Sequence, residues 1–303
     1  MPRTDSKSSR PDKGPGGKPG GRSTPQTGAR RGSEVPTPHD RGASSDHAPG
    51  FDLVYGRNPV REALRGRRVV HRVYLAAGAA AVALEQSLVD WAAAAGQPVP
   101  ASRVVPYDEL CELLGSADHQ GIAAEVATYP YVEPETLLQT HTLLVALDEI
   151  QDPHNLGAII RTAEGAVAGV VISRHRAAEV TAAVVKASAG ATEHAAVSRV
   201  RNLADFLSLA KEAGFWIYGT AANADSDYTG QDYSYPTCFV MGSEGVGLGK
   251  RVASMCDVMV SLPLGGRIDS LNVSVSAGIL LYEAVRQRRH GPACHEVAGA
   301  EEE

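Results

Sequence analysis

The chain has 303 residues, of which 43% are hydrophobic and 5% aromatic, and this length allows about two domains with a real core. No run of about eighteen apolar residues predicts a membrane span, and no apolar segment near the N-terminus predicts a secretory signal. The cysteines are scattered without the spacing of a disulfide framework or a metal site. We therefore expect a cytoplasmic protein with reduced thiols, no bound metal and no membrane segment.

The net charge of −6 is unevenly distributed along the chain. Residues 1–50 carry nine Lys and Arg against five Asp and Glu, which gives +4 and leaves −10 for the rest. This segment is rich in Gly, Pro and Ser, so it is predicted to be a disordered basic tail. Such a tail either attracts nucleic acid or only keeps the protein in solution. Residues 291–303 are predicted to be a second, acidic tail.

Residues 51–128 are predicted to form a small α/β domain. A short helix would be capped by Asn58 with Pro59 at its first position. The alternating pattern that follows predicts strands at 69–76, 103–105 and 121–127 and helices at 79–95 and 107–114. The start of this domain is basic, with Arg57, Arg61, Arg65, Arg67, Arg68, His71 and Arg72. A basic run of this kind is typical of a solvated surface, and it would also suit a surface that binds RNA phosphates.

Residues 129–141, with Pro130 and Pro134, are predicted to be an interdomain linker, and residues 142–290 to form a second domain. Apolar runs in that domain predict strands at 143–147, 169–173, 195–200, 216–221, 238–241 and 258–262. Helices are predicted between them at 156–168, 177–187 and 203–213. This alternation predicts an α/β fold with a parallel sheet and helices on both faces.

The stretch from Phe239 to Ala284 contains the strongest indication of a ligand site. Its two strands run into the Gly-rich turns 242–247 and 265–270. Ligands of open α/β sheets bind at the carboxyl ends of strands, and glycines allow backbone to approach a ligand closely. The following helix has one apolar face, formed by Val273, Ala277, Leu280, Leu281 and Ala284. Small polar residues crowd its start, where they either cap the helix or bind a ligand: Ser270, Asn272, Ser274 and Ser276.

Asn155 would cap the helix that begins at residue 156, and Gly157 and Arg161 share one face of that helix. Arg161 has two interpretations: an ion pair with Glu164 or Glu149, or a bidentate site for phosphate or carboxylate. A nucleotide-dependent dehydrogenase is disfavoured, because no GxGxxG motif follows the first strand and the GSEGVG segment comes too late in the chain.

Three segments of the second domain resemble the SpoU (TrmH-like) branch of the SPOUT RNA methyltransferases. They are residues 152–162 (DPHNLGAIIRT), 241–248 (MGSEGVGL) and 270–276 (SLNVSVS). Residues 55–64 (YGRNPVREAL) and 119–122 (HQGI) resemble the small RNA-binding domain of the RlmB-type 23S ribosomal RNA guanosine 2′-O-methyltransferases. The resemblance covers roughly Gly56 to Arg288.

This resemblance implies a methyltransferase domain with a C-terminal trefoil knot and a homodimer formed through the knot region. S-adenosyl-L-methionine would be held by backbone around Gly242, Leu262 and Leu271. The polar catalytic set implied by the resemblance is Asn155, Arg161, Glu244, Ser270 and Asn272. The implied reaction is 2′-O-methylation of a ribose in RNA, with a guanosine of 23S rRNA as the expected target.

Three other functions remain open at this point. The target could be tRNA or another ribosomal site, including the sites modified by antibiotic-resistance methyltransferases. The chain could also be a non-catalytic RNA-binding factor for ribosome assembly.

Overall fold

The computed structural model of the chain describes residues 50–290, except Glu244, Val246, Ile268 and the side chain of His290. The tails predicted at residues 1–50 and 291–303 lie outside the described residues, apart from Gly50. None of the described helices is long and apolar enough to cross a membrane. The described side chains also include no group of three or more His, Cys, Asp or Glu placed to hold a metal ion.

The first part of the chain forms a four-stranded mixed sheet with three helices. Its elements are β1 (Phe51–Tyr55), α1 (Arg57–Arg65), β2 (Val70–Ala76), α2 (Ala81–Ala94), β3 (Ser102–Val105), α3 (Tyr107–Leu114) and β4 (Ile122–Ala127). The strand order is β1-β4-β2-β3, with β4 antiparallel to both neighbours and β2 parallel to β3. The α/β pattern predicted for this region is confirmed, although β1 was not predicted.

The second part forms a seven-stranded sheet in which every pairing is parallel. Its strands are β5 (Leu143–Leu147), β6 (Gly169–Ser173), β7 (Val197–Val200), β8 (Trp216–Thr220), β9 (Ser226–Asp227), β10 (Thr237–Met241) and β11 (Val258–Ser261). Its helices are α4 (Pro134–Thr140), α5 (Pro153–Gly165), α6 (Ala182–Ala187), α7 (Leu203–Glu212), α8 (Lys250–Ala253) and α9 (Val273–His290), with short 3-10 helices at Ala191–Glu193 and Tyr228–Gly230. The strand order is β7-β6-β5-β10-β8-β11-β9, which confirms the predicted parallel sheet.

Alternate residues of the central strands point to opposite faces of this sheet, and each face has its own apolar cluster. In β5, Leu143, Val145 and Leu147 belong to the cluster that includes α5 and α9. Leu144 and Ala146 belong to the cluster on the other face, with α4 and α7. Burial on both faces explains why the strand reads as one continuous apolar run in the sequence. The predicted apolar stripe of α9 is confirmed, because all five of its residues are buried.

Two predicted helix caps are wrong. Helix α1 begins at Arg57, and its cap is Gly56, whose φ of 96° favours glycine. Asn58 therefore lies inside the helix and does not cap it. Helix α5 begins at Pro153, and its cap is Asp152, whose side chain accepts the N–H of His154 at 2.9 Å. Proline has no backbone N–H that would need an acceptor, so Pro153 is well suited to the first helical position, and the helix starts two residues before Asn155.

Two segments contain a different amount of helix from what the sequence predicts. The region predicted as a linker contains α4, with Pro134 in its first turn and Leu137 fully buried. The helix predicted at 177–187 begins only at Ala182, because Thr181 is still extended.

Gly157 brings α5 into close contact with α6. A Cβ at this position would lie 2.5 Å from the Cβ of Ala187 and 2.9 Å from the backbone N of Ser188. Alanine is normally about 1 kcal/mol better than glycine inside a helix. Overpacking costs about 1–3 kcal/mol, and here the obstructing atoms include backbone that cannot rotate away. We therefore expect Gly157→Ala to lower the free energy of unfolding, by about 1–2 kcal/mol in urea denaturation.

Gly278→Ala is the matched control for this change. Gly278 also lies inside a helix, but the nearest atom to an added Cβ is Cγ2 of Thr162 at an ordinary 3.7 Å. This variant is expected to be neutral or slightly stabilising. An equal effect of the two substitutions would mean that the contact between α5 and α6 does not determine the cost at Gly157.

Candidate active site

The strand order reverses beside β5, and this is where the candidate site lies. The chain runs from β5 outward to β6 and β7, and it later inserts β10 on the other side of β5. The ends of β5 and β10 therefore lie side by side, with Leu147 paired to Met241. Parallel α/β sheets bind ligands in the crevice outside such a reversal.

Asp148 holds the two loops that leave these strands. Its backbone N–H donates to the carbonyl of Met241 at 2.9 Å, and its carboxylate accepts the N–H of Gly249 at 2.8 Å. Burial raises the pKa of Asp148, and the hydrogen bond from Gly249 opposes that shift. Asp148 was not among the predicted site residues, although an acidic residue directly after a buried strand is a usable signal.

The turn after β10 requires glycine at its first position. A Cβ on Gly242 would lie 2.5 Å from the carbonyl oxygen of Gly247 and 2.6 Å from the N of Leu248. The turn is closed by the N–H of Gly247, which donates to the carbonyl of Ser243 at 2.9 Å. Glu244 belongs to this turn but lies outside the described residues, so its place in the catalytic set stays a prediction.

The turn after β11 contains two adjacent glycines with open space beside them. A Cβ at Gly265 or Gly266 would meet no atom within 4 Å. The turn begins after Leu262, which is half-buried, and it leads through exposed Ser270 to half-buried Leu271 before α9. Of the three positions predicted for cofactor binding, Gly242 begins the turn after β10, Leu262 directly follows β11, and Leu271 lies two residues before α9.

Two predicted site residues that are 117 positions apart meet directly. The side-chain amide of Asn272 donates to Oδ1 of Asn155 at 2.8 Å. Oδ1 of Asn272 in turn accepts the N–H of Ser274 at 2.8 Å and its hydroxyl at 2.6 Å. Asn272 therefore caps α9 and also joins it to α5. Its predicted role in the site stays a prediction.

Arg161 lies on α5, about 1.7 turns beyond Asn155, and it is exposed. Among the described residues it forms no ion pair, while Glu149 pairs with Arg176 at 3.5 Å. Arg161 instead lines an open cavity of about 540 Å³. Within the described part of the chain, the guanidinium is thus available to a ligand, as the phosphate-binding interpretation requires.

Comparison with known protein families identifies both parts of the chain. A model described as the SpoU rRNA methylase family matches residues 142–282. A model described as RNA 2′-O ribose methyltransferase substrate binding matches residues 53–132. These two matched segments are called the methyltransferase domain and the substrate-binding domain below.

Two curated bacterial relatives share more than a third of their aligned residues with this chain. YacO of Bacillus subtilis, whose name assigns it to the TrmH family of tRNA/rRNA methyltransferases, is 39% identical over 78% of this chain and 96% of its own length. A Synechocystis protein named as the uncharacterized tRNA/rRNA methyltransferase slr0955 is 41% identical over 84% of this chain, and the match spans 66% of that protein.

Solved structures agree with this relationship. The SpoU methyltransferase AviRb from Streptomyces viridochromogenes matches with a TM-score of 0.66 and 27% identity, over 80% of this chain and 91% of AviRb. AviRb has also been solved in complex with the cofactor AdoMet, with a TM-score of 0.64 and 26% identity over 79% of this chain and 91% of that chain. An AdoMet-bound rRNA methyltransferase from Sinorhizobium meliloti matches with a TM-score of 0.64 and 26% identity, over 78% of this chain and 87% of that protein. The chain therefore belongs to the SpoU (TrmH) family of RNA 2′-O-ribose methyltransferases.

Proposed function

We propose that this protein methylates a ribose 2′-hydroxyl of a guanosine in 23S rRNA, with S-adenosyl-L-methionine as the methyl donor. The observation that carries the proposal is the hydrogen bond between Asn155 and Asn272, which joins two of the three resembling segments, one of them the segment that contains Arg161. The choice of 23S rRNA rests on the RlmB-like residues 55–64 and 119–122. Because the substrate is RNA and no disulfide framework is expected, we propose the cytoplasm as the location.

The residues present fit S-adenosylmethionine. Two related methyltransferases have been solved with AdoMet bound. In this chain, Gly265 and Gly266 leave the backbone of the turn after β11 open to a ligand. Gly242, Leu262 and Leu271 would hold the adenosyl moiety through backbone contacts. When bound, the cofactor supplies an electrophilic methyl group on a sulfonium, so the reaction needs no covalent enzyme intermediate.

The protein must then position the hydroxyl and assist loss of its proton. With a planar cationic guanidinium and five N–H donors, Arg161 binds the target phosphate and stabilises negative charge that develops on the ribose oxygen. The proton leaves through a neighbouring group or water. Glu244 orients Arg161 or the ribose.

The remaining polar residues hold the site in shape. Asn155 is buried and fixes the side chain of Asn272 from α5. Asn272 and Ser270 shape the start of α9 and bind the substrate or the loop backbone. We also propose the trefoil knot and a homodimer through the knot region, as the family resemblance implies.

Transfer of tritium from labelled S-adenosylmethionine tests this function. The protein is incubated with deproteinised 23S rRNA, 16S rRNA and bulk tRNA from a strain that lacks the gene, and the label is mapped to a nucleotide. We expect incorporation into 23S rRNA at a guanosine ribose. Label in tRNA or 16S rRNA alone would keep the chemistry but overturn the substrate. If there is no incorporation and calorimetry shows no cofactor binding, the chain is a non-catalytic RNA-binding factor.

A further inference from the structure

Two sets of contacts fix the substrate-binding domain against the methyltransferase domain. In the first, Arg68 pairs with Glu193: Nε donates to Oε2 at 2.9 Å, and Nη2 contacts Oε1. The two side chains are 2% and 0% exposed. In the second, Lys186 Nζ donates to the carbonyl of Asp118 at 3.0 Å and lies 5.8 Å from the ring centre of Tyr55. Both sets involve α6 or the 3-10 helix Ala191–Glu193, and α6 packs directly on α5 at Gly157.

This docking places α1 opposite the catalytic helix α5. Arg61 and Arg65 of α1 line the same cavity of about 540 Å³ as Arg161 of α5. The small residues Ser188, Ala189 and Ala191 also line this cavity, together with the carboxylates of Glu62 and Glu164. Three guanidinium groups from the two domains thus face one groove.

The basic side chains of α1 are only partly neutralised. Glu62 is shared by Arg61 at 2.9 Å, Arg65 at 3.4 Å and His194 at 3.0 Å. Arg61 and Arg65 remain 41% and 52% exposed. A guanidinium has five N–H donors, so each arginine keeps donors for a ligand while it contacts Glu62.

We propose that Arg61 and Arg65 bind the phosphates next to the methylated nucleotide, so that one RNA strand runs through this groove to Arg161. The inference rests on the proposed function, because it identifies the path of the RNA substrate into that site. The strand is single-stranded or unpaired there, because a ribose that reacts must leave regular stacking and reach the Gly-rich turns. Several arginines in one open groove suit an extended polyanion better than a single carboxylate ligand.

The test uses the full-length variant Arg61→Ala/Arg65→Ala and a labelled single-stranded RNA from 23S rRNA. Loss of two phosphate contacts is expected to weaken RNA binding about tenfold or more at low salt, and to reduce the slope of log K against log salt by about 1.4. The KM for RNA should rise while kcat changes little. Calorimetric affinity for S-adenosylmethionine and the melting temperature should not change, since both side chains are exposed.

Arg72→Ala/Arg103→Ala is the matched control. It removes two positive charges from the same domain at positions that do not line the cavity. If the control weakens RNA binding as much as the groove variant, or if the groove variant keeps the wild-type salt slope, the groove is only a solvated surface and the inference fails. Failure of the proposed function looks different, because the wild-type protein itself would then not methylate 23S rRNA.

Discussion

Arg161→Ala is expected to lower kcat/KM for RNA methylation by about 10²–10³-fold, as loss of a group that stabilises developing oxyanion charge does in other enzymes. Arg161 is exposed and forms no ion pair among the described residues, so its removal should leave the fold intact. Arg161→Lys keeps a positive charge but loses the planar fork. If bidentate binding by the guanidinium contributes to catalysis, the methylation rate of the lysine variant should lie between those of the alanine variant and the wild type. Single-turnover assays with labelled S-adenosylmethionine measure these rates.

Arg251→Ala serves as the control for this pair of variants. Arg251 lies in the same domain, is 71% exposed and pairs with Asp205 at 2.7 Å. Its loss should change kcat/KM by less than a factor of about three, because Arg251 does not line the cavity and the loss of an exposed ion pair leaves the fold nearly unchanged. Near-wild-type turnover of Arg161→Lys would exclude bidentate binding, and near-wild-type turnover of Arg161→Ala would exclude Arg161 from the site.

The fold was predictable where burial alone determines the sequence pattern. Strand β5 was predicted with its observed limits, because both faces are covered and every residue is apolar. The stripe of α9 was predicted for the same reason. Helix starts were less predictable, because a cap depends on one hydrogen bond and several polar residues compete for it. At α5 the capping residue is Asp152, and Asn155 instead accepts a hydrogen bond from the distant Asn272.

The individual roles of the basic residues at the start of the substrate-binding domain could not be predicted from the sequence. The basic run suggested one surface, but its members have different roles. Arg67 donates to the carbonyl of Ala195 at 2.6 Å, and Arg68 is buried against Glu193. Arg61 and Arg65 face the groove. The Ala195 carbonyl and Glu193 lie more than a hundred residues from Arg67 and Arg68, so no local pattern separates a structural arginine from a binding one.

Glu193→Ala is expected to lower the free energy of unfolding by about 3 kcal/mol, because it leaves Arg68 buried without its main partner. Breaking a buried ion pair usually costs about 3–5 kcal/mol of stability. We expect the lower end of this range, because Arg68 still donates to Asp52 at 3.1 Å and to the carbonyl of Ala127 at 3.4 Å. Urea denaturation and calorimetry measure the loss. Glu109→Ala is the control, because it breaks an exposed pair with Arg103 and should cost less than about 1 kcal/mol.

The double variant Arg68→Met/Glu193→Leu distinguishes the effect of the ion pair on stability from its effect on the relative position of the two domains. Replacing both charges with apolar side chains removes their desolvation cost, so most of the stability lost in Glu193→Ala should return. If the ion pair also sets the angle between the domains, this double variant should melt near the wild-type temperature and yet show a raised KM for RNA. A wild-type KM would mean that apolar packing suffices to place α1 opposite α5. A loss below 1 kcal/mol in Glu193→Ala would contradict a buried interdomain pair altogether.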